Sequence, residues 1–168
     1  MKLNYILLVV ATLFVSQITT AQWTKGKNKG YYKLNSWLLV SDQHYTNTGA
    51  IYPNVTRSTF NLSFYGEYGI TDRLDAIAYV PFFTRVAQND QISGTINELI
   101  QEGEAFNSIG DADIAIRYGI LKKSRVALST TLKLGIPIGD DAGGSDGSFQ
   151  TGDGEFNQHI QLDLGVPF

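Results

Sequence analysis

The segment 58–70, Ser-Thr-Phe-Asn-Leu-Ser-Phe-Tyr-Gly-Glu-Tyr-Gly-Ile, limits what this chain can fold into more than any other stretch. Its even positions hold Phe60, Leu62, Phe64, Gly66, Tyr68 and Ile70; its odd positions hold Thr59, Asn61, Ser63, Tyr65 and Glu67. Successive side chains on a strand point to opposite faces, so this run predicts a strand with one apolar and one polar face. A helix would scatter both sets around its circumference.

The same period of two returns in five further segments. Residues 31–42 set Tyr32, Leu34, Leu38 and Val40 against Lys33 and Asn35. Residues 74–84 set Leu74, Ala76, Ala78, Val80 and Phe82 against Asp75 and Tyr79. Residues 111–120 oppose Ala112, Ile114, Ile116, Tyr118 and Ile120 to Asp111, Asp113 and Arg117. Residues 125–138 oppose Val126, Leu128, Leu132, Leu134 and Ile136 to Ser129, Thr131 and Lys133. Residues 156–168 oppose Phe156, Ile160, Leu162, Leu164, Val166 and Phe168 to Asn157, His159, Gln161 and Asp163. The expected fold is therefore all-β and antiparallel, with six strands longer than the five or six residues usual in globular proteins. Composition agrees. Charged residues reach only 17% against roughly 25% in typical chains, and nine Tyr, nine Phe, two Trp and 17 Gly suit strands and turns.

The expected connections alternate in length. Strands two and three meet across 71–73, and strands four and five across 121–124, whereas the other connections span 43–56, 85–110 and 139–155. Short turns at one end and long polar loops at the other are the pattern of an up-and-down transmembrane β-barrel. Its tilted strands need about 9–11 residues to cross the bilayer. A secreted β-sandwich or lipocalin-like barrel also alternates, but it turns its apolar face inward and leaves charge outside.

The start of the chain reads as a secretory signal peptide over 1–21. Met1-Lys2 is followed by an apolar run from Tyr5 to Val15 and by Thr19-Thr20-Ala21, with cleavage expected before Gln22. That run is about half of what a membrane-spanning helix requires. The expectation is export across the inner membrane, residues 22–168 forming the barrel, and residence in the outer-membrane lipid bilayer.

With the chain entering from the periplasm, the even face meets lipid. Tyr32, Tyr68, Tyr118 and Phe168 then fall at the periplasmic rim, Phe82 and Phe156 near the outer rim, and Phe60 slightly deeper, as an aromatic girdle. The other face supplies the expected lumen lining: Lys33, Trp37, Tyr65, Glu67, Asp75, Tyr79, Asp113, Arg117, Lys133, His159 and Asp163. Its charges are of mixed sign, which predicts weak ion selectivity or internal pairing. Six strands are fewer than the eight of the smallest single-chain barrels, and an open sheet leaves unpaired edges in lipid. The segment is thus expected to be the N-terminal portion of a larger barrel.

Several classes are disfavoured. A net charge of −3 offers no basic surface for nucleic acid. The absence of cysteine excludes disulfide scaffolds, cysteine-based zinc sites and thiol catalysis. His159 has Asn157 and Gln161 as same-face strand neighbours, and His44 lies beside Asp42 and Thr46; neither has an adjacent serine to activate. The Gly- and Asp-rich run 139–155 fits neither the EF-hand spacing nor the glycine-aspartate repeat of calcium-binding β-helices, and reads as a solvated, flexible surface loop. No enzymatic activity, cofactor or metal is expected.

Certain short motifs carry a likeness to a known family. The leader ending Thr-Thr-Ala-Gln, residues 65–75 (Tyr-Gly-Glu-Tyr-Gly-Ile-Thr-Asp-Arg-Leu-Asp), 79–82 (Tyr-Val-Pro-Phe), 110–113 (Gly-Asp-Ala-Asp), 135–139 (Gly-Ile-Pro-Ile-Gly) and 151–155 (Thr-Gly-Asp-Gly-Glu) resemble outer-membrane barrels of Bacteroidetes-type bacteria. In particular, the chain is similar to the phenol-degradation meta-pathway family, often labelled simply as transporters, although it is shorter than expected for that family. The resemblance implies an outer-membrane channel or uptake protein for small solutes, hydrophobic or aromatic ones among them. It supplies no site residues. The alternative is a non-transporting barrel with a structural or surface-interaction role.

Overall fold

The structure, a computed structural model, describes residues 24–52, 56–93, 95–122 and 126–166. The leader at 1–21, Phe168 and part of the turn at 121–124 lie outside the described residues. Every regular element among those described is a strand: β1 (Gly30–Ser41), β2 (His44–Tyr45), β3 (Ile51–Tyr52), β4 (Arg57–Gly69), β5 (Leu74–Gln88), β6 (Gln91–Ile92), β7 (Leu99–Gln101), β8 (Glu104–Ser108), β9 (Ala112–Leu121), β10 (Ala127–Ile136) and β11 (Asn157–Gly165). The six expected strands are β1, β4, β5, β9, β10 and β11. They pair antiparallel in that order, each with its neighbour in the chain among the long strands. The sheet is open among the described residues, with β1 and β11 at its two edges.

Turn chemistry fixes this order. Between β4 and β5 the chain reverses within 70–73, where the amides of Ile70 and Thr71 donate to the carbonyl of Leu74 (2.8 and 3.1 Å). The long connections carry minor elements: β2 pairs with β3, and β6 with β7. β5 is the longest strand, and two strands share its far edge. Its first half pairs with β9, from Leu74↔Tyr118 to Tyr79↔Asp113, and its last five residues pair with β8. The gap between β8 and β9 is bridged by the Gly110 amide, which donates to the carbonyl of Pro81 (2.8 Å).

Pro81 also corrects the register expected for β5. Leu62 pairs with Phe83 and Phe64 with Val80, so Pro81 and Phe82 together oppose Ser63 in a β-bulge. Proline has no amide to give to the ladder, which is why an extra residue is tolerated there. The alternation therefore holds from Leu74 to Val80 and then slips by one. Beyond the bulge Phe83 takes up the apolar face beside Phe82, which stays exposed, and the Phe83 ring lies 6.2 Å from that of Phe60.

The two faces are buried in the reverse of the usual sense. Among the described residues, only Val86, Ala112, Ala127 and Phe149 are buried hydrophobics. The buried polar set is Thr24, Asn61, Ser63, Glu67, Asp75, Thr84, Gln88, Arg117, Ser129 and Thr131. Ser63 and Asp75 are 0% exposed, whereas Leu34 is 75% and Ile160 74% exposed. Soluble domains bury Leu and Ile and leave Asp and Arg outside. Here the sheet wraps around its polar face.

Candidate functional site

All eleven residues expected to line a lumen lie on that one face. The register carries Lys33 to Tyr65 and Tyr79, Trp37 to Asn61, Asp75 to Arg117, and Lys133 to His159. They are not all brought together. Lys33, Trp37 and His159 stand exposed on the edge strands β1 and β11, and Asp163 is half-buried beside Gln161. Glu67, Asp75 and Arg117 are buried in the middle of the sheet, with Tyr65 at their flank.

This cluster follows from register and curl. Asp75 on β5 lies directly across from Arg117 on β9, and Glu67 reaches toward both from β4. The Arg117 guanidinium donates to Glu67 Oε2 at 3.2 Å and lies 3.9 Å from Asp75 Oδ2. Glu67 Oε1 accepts the Tyr65 hydroxyl. The fourth charge comes from a residue outside every alternating segment: Lys25, whose Nζ is 3.2 Å from Glu67 Oε2. Its backbone amide donates to both Asp75 oxygens (3.1 and 3.0 Å), and its ammonium stands 5.0 Å from the Tyr31 ring. Two cations, the buried Arg117 and the part-exposed Lys25, thus offset the two buried carboxylates, as buried charges require. Nothing in the periodicity pointed to Lys25, since a single base ahead of the first strand carries no pattern.

Residues 24–29 bring Lys25 there by lying across the polar face at the turn end. Thr24 donates its hydroxyl to the carbonyl of Asp72 (2.9 Å), and the Lys27 amide donates to Asp72 Oδ1 (3.2 Å). The Asn28 amide donates to the Gly69 carbonyl, and the Gly69 amide to the Lys29 carbonyl, each at 2.8 Å. The approach is so close that a Cβ on Gly69 would lie 2.0 Å from the Gly26 carbonyl oxygen.

The opposite end is also covered: residues 139–155, expected as a solvated, flexible surface loop, keep much of their length exposed but are pinned to the sheet. Phe149, 2% exposed, anchors this segment, and the Arg57 guanidinium stands 5.7 Å from its ring. Glu104 on β8 accepts the amide and hydroxyl of Ser145 (3.0 and 2.6 Å). Asp111 accepts the amides of Gly139 (2.9 Å) and Asp153 (2.7 Å). The loop carboxylates serve the loop's own turns. The hydroxyl and amide of Ser148 hold the Asp146 carboxyl below its ordinary range, and the amide of Glu155 does the same for Asp153, helped by the Asn157 side chain. Among the described residues, no three His, Asp or Glu side chains gather into a group able to hold a metal ion.

Asp113 and Lys133 form a half-exposed ion pair at 3.2 Å, of the kind that contributes about 0–1 kcal/mol. On the same face, Asn61 Nδ2 donates to Thr84 Oγ1 across β4 and β5 (2.9 Å). Asn61 Oδ1, Ser63 Oγ, Arg117 Nε, Thr131 Oγ1 and Asp163 Oδ2 are buried without a protein partner. The aromatics of the other face sit toward its two ends. Tyr32, Tyr68 and Tyr118 lie at the turn end, with Tyr32 stacked on Phe64 at 6.1 Å and Tyr68 donating to Asn28 Oδ1 (3.3 Å). Phe60, Phe82 and Phe156 lie toward the loop end. Comparison with protein-family models, curated proteins and solved structures finds no match to this chain.

Proposed function

We propose that this sheet is wall of an outer-membrane β-barrel, its apolar face against lipid and its polar face around a wet interior, and that the protein serves as a channel or transporter-like barrel for small solutes. The inverted burial carries this reading. A face bearing Leu34, Leu38, Ile116, Leu132, Ile160 and Leu162 is left exposed while Asp75 and Arg117 are enclosed, which water penalises and a bilayer rewards. Long strands of 9 to 15 residues are sufficient for a tilted crossing, and aromatics toward both ends fit the two interfaces. The unpartnered polar atoms away from the ion-pair cluster, Asn61 Oδ1, Thr131 Oγ1 and Asp163 Oδ2 among them, add support, because each costs about 1–3 kcal/mol in a dry core and little where water reaches it.

In lipid the edges β1 and β11 must be paired, so the reading includes closure by further antiparallel strands. The interior carries paired charges of both signs, which favours weak ion selectivity. The resemblance to the phenol-degradation meta-pathway family favours hydrophobic or aromatic solutes. A second reading, a non-transporting structural or surface-interaction barrel, draws on the two segments that cover the polar face at its ends. Swelling of proteoliposomes in a pentose separates the two. A channel is expected to admit the pentose faster than protein-free vesicles; swelling no faster than those vesicles, by protein that is inserted, would leave the structural reading.

A further inference from the structure

We propose that residues 24–29 are a plug that closes the turn end of the interior, held by the cluster of Lys25, Glu67, Asp75 and Arg117; this rests on the channel reading above. The segment belongs to none of the sheet's long strands, and it crosses the polar face instead of leaving it. Lys25 is bound there twice, by its amide to the Asp75 carboxylate and by its ammonium to Glu67. Asp72 fastens the flanks of Lys25, through its carbonyl on Thr24 and its carboxylate on the Lys27 amide. Thr24 is itself buried, against Gly119.

Two glycines, Gly26 and Gly69, make the segment behave as a latch more than a wall. Gly26 adopts φ +89°, a conformation that L side chains rarely take. Its carbonyl sits where any side chain on Gly69 would have to go. The segment can therefore be dislodged by a single methyl group on β4, or by strain within itself, without substituting any charged residue. Removing it uncovers Glu67 and Asp75 at the turn end, so an open state exposes acidic groups that the closed state neutralises with Lys25.

The test places Thr24→Cys as the probe thiol, these 168 residues containing no other cysteine. A membrane-impermeant maleimide reports release of the segment, and proteoliposome swelling in a pentose reports opening. Gly69→Ala displaces the plug from the strand side and Gly26→Val from its own side. Each is expected to raise the labelling rate about tenfold, with swelling rising in parallel. Should Gly69→Ala fail to fold, Gly26→Val leaves the sheet unaltered and carries the test alone. Faster labelling with swelling held at the wild-type rate would overturn the plug while leaving the channel intact. Unchanged labelling in both variants would overturn it as well. Recovery of the wild-type protein in the aqueous phase without detergent would instead sink the channel reading, and the plug with it.

Discussion

Arginine in place of Leu132 is expected to destabilise the protein in phospholipid vesicles by about 2–4 kcal/mol, the cost of a guanidinium on a lipid face near the bilayer midplane. Leu132 lies mid-strand on β10, paired with Ile116 on one side and Ile160 on the other, and all three are exposed. The same change at Ile138, beyond the end of β10, is expected to cost about 0–1 kcal/mol, because the penalty falls toward the interface. Were this sheet a water-soluble domain, Leu132→Arg would remain within about 0.5 kcal/mol, as exposed substitutions usually do. Denaturant unfolding in vesicles, followed through the two tryptophans, measures the difference. Equal small effects at both positions would contradict the lipid-facing assignment.

The second large effect belongs to the polar face. Arg117→Ala is expected to cost about 3–5 kcal/mol, the penalty for removing one partner of a buried ion pair and leaving its charge uncompensated. Glu67 loses its 3.2 Å partner and Asp75 its nearest guanidinium, while Lys25 alone must balance both. Converting both members, with Glu67→Gln and Arg117→Met together, is expected to cost less than the two single changes combined. Groups in contact couple by about 0.5–3 kcal/mol. A double-mutant cycle reads the coupling directly, and strict additivity would show that Glu67 and Arg117 do not act as a pair.

The period-two segments exposed the fold because the two faces differ so sharply in chemistry. From 60 to 70 every even residue is apolar or glycine, so strand, face and length were all legible from the sequence. Turn lengths then supplied the neighbour order. What periodicity cannot convey is where a strand slips. Pro81 within the β5 run was the available signal for a bulge, because it removes a ladder donor, and beyond it the inward-facing positions change from odd to even, with Thr84, Val86 and Gln88 buried. Reach across strands is likewise invisible: Glu67 and Arg117 lie two strands apart, and periodicity does not say that their side chains meet.

The cover segments were hidden for different reasons. Residues 139–155 have the composition of a solvated loop, yet one aromatic, Phe149, and two carboxylates, Asp111 and Glu104, suffice to fold the loop back onto the sheet. Their partners lie about 30 to 40 residues away, beyond any local pattern. Lys25 is a harder case, since its role depends on backbone bonds to Asp75 that no side-chain pattern encodes.

The central claim is that the exposed apolar face meets lipid. It is tested most directly by spin labels placed one at a time along β10 from Leu128 to Gly135 in vesicles. The predicted result is a period of two: lipid-dissolved oxygen reaches labels at Leu128, Thr130, Leu132 and Leu134, and spares those at Ser129, Thr131 and Lys133. Water-soluble nickel complex reaching the Leu132 and Leu134 labels as freely as oxygen would place that face in water and contradict the account.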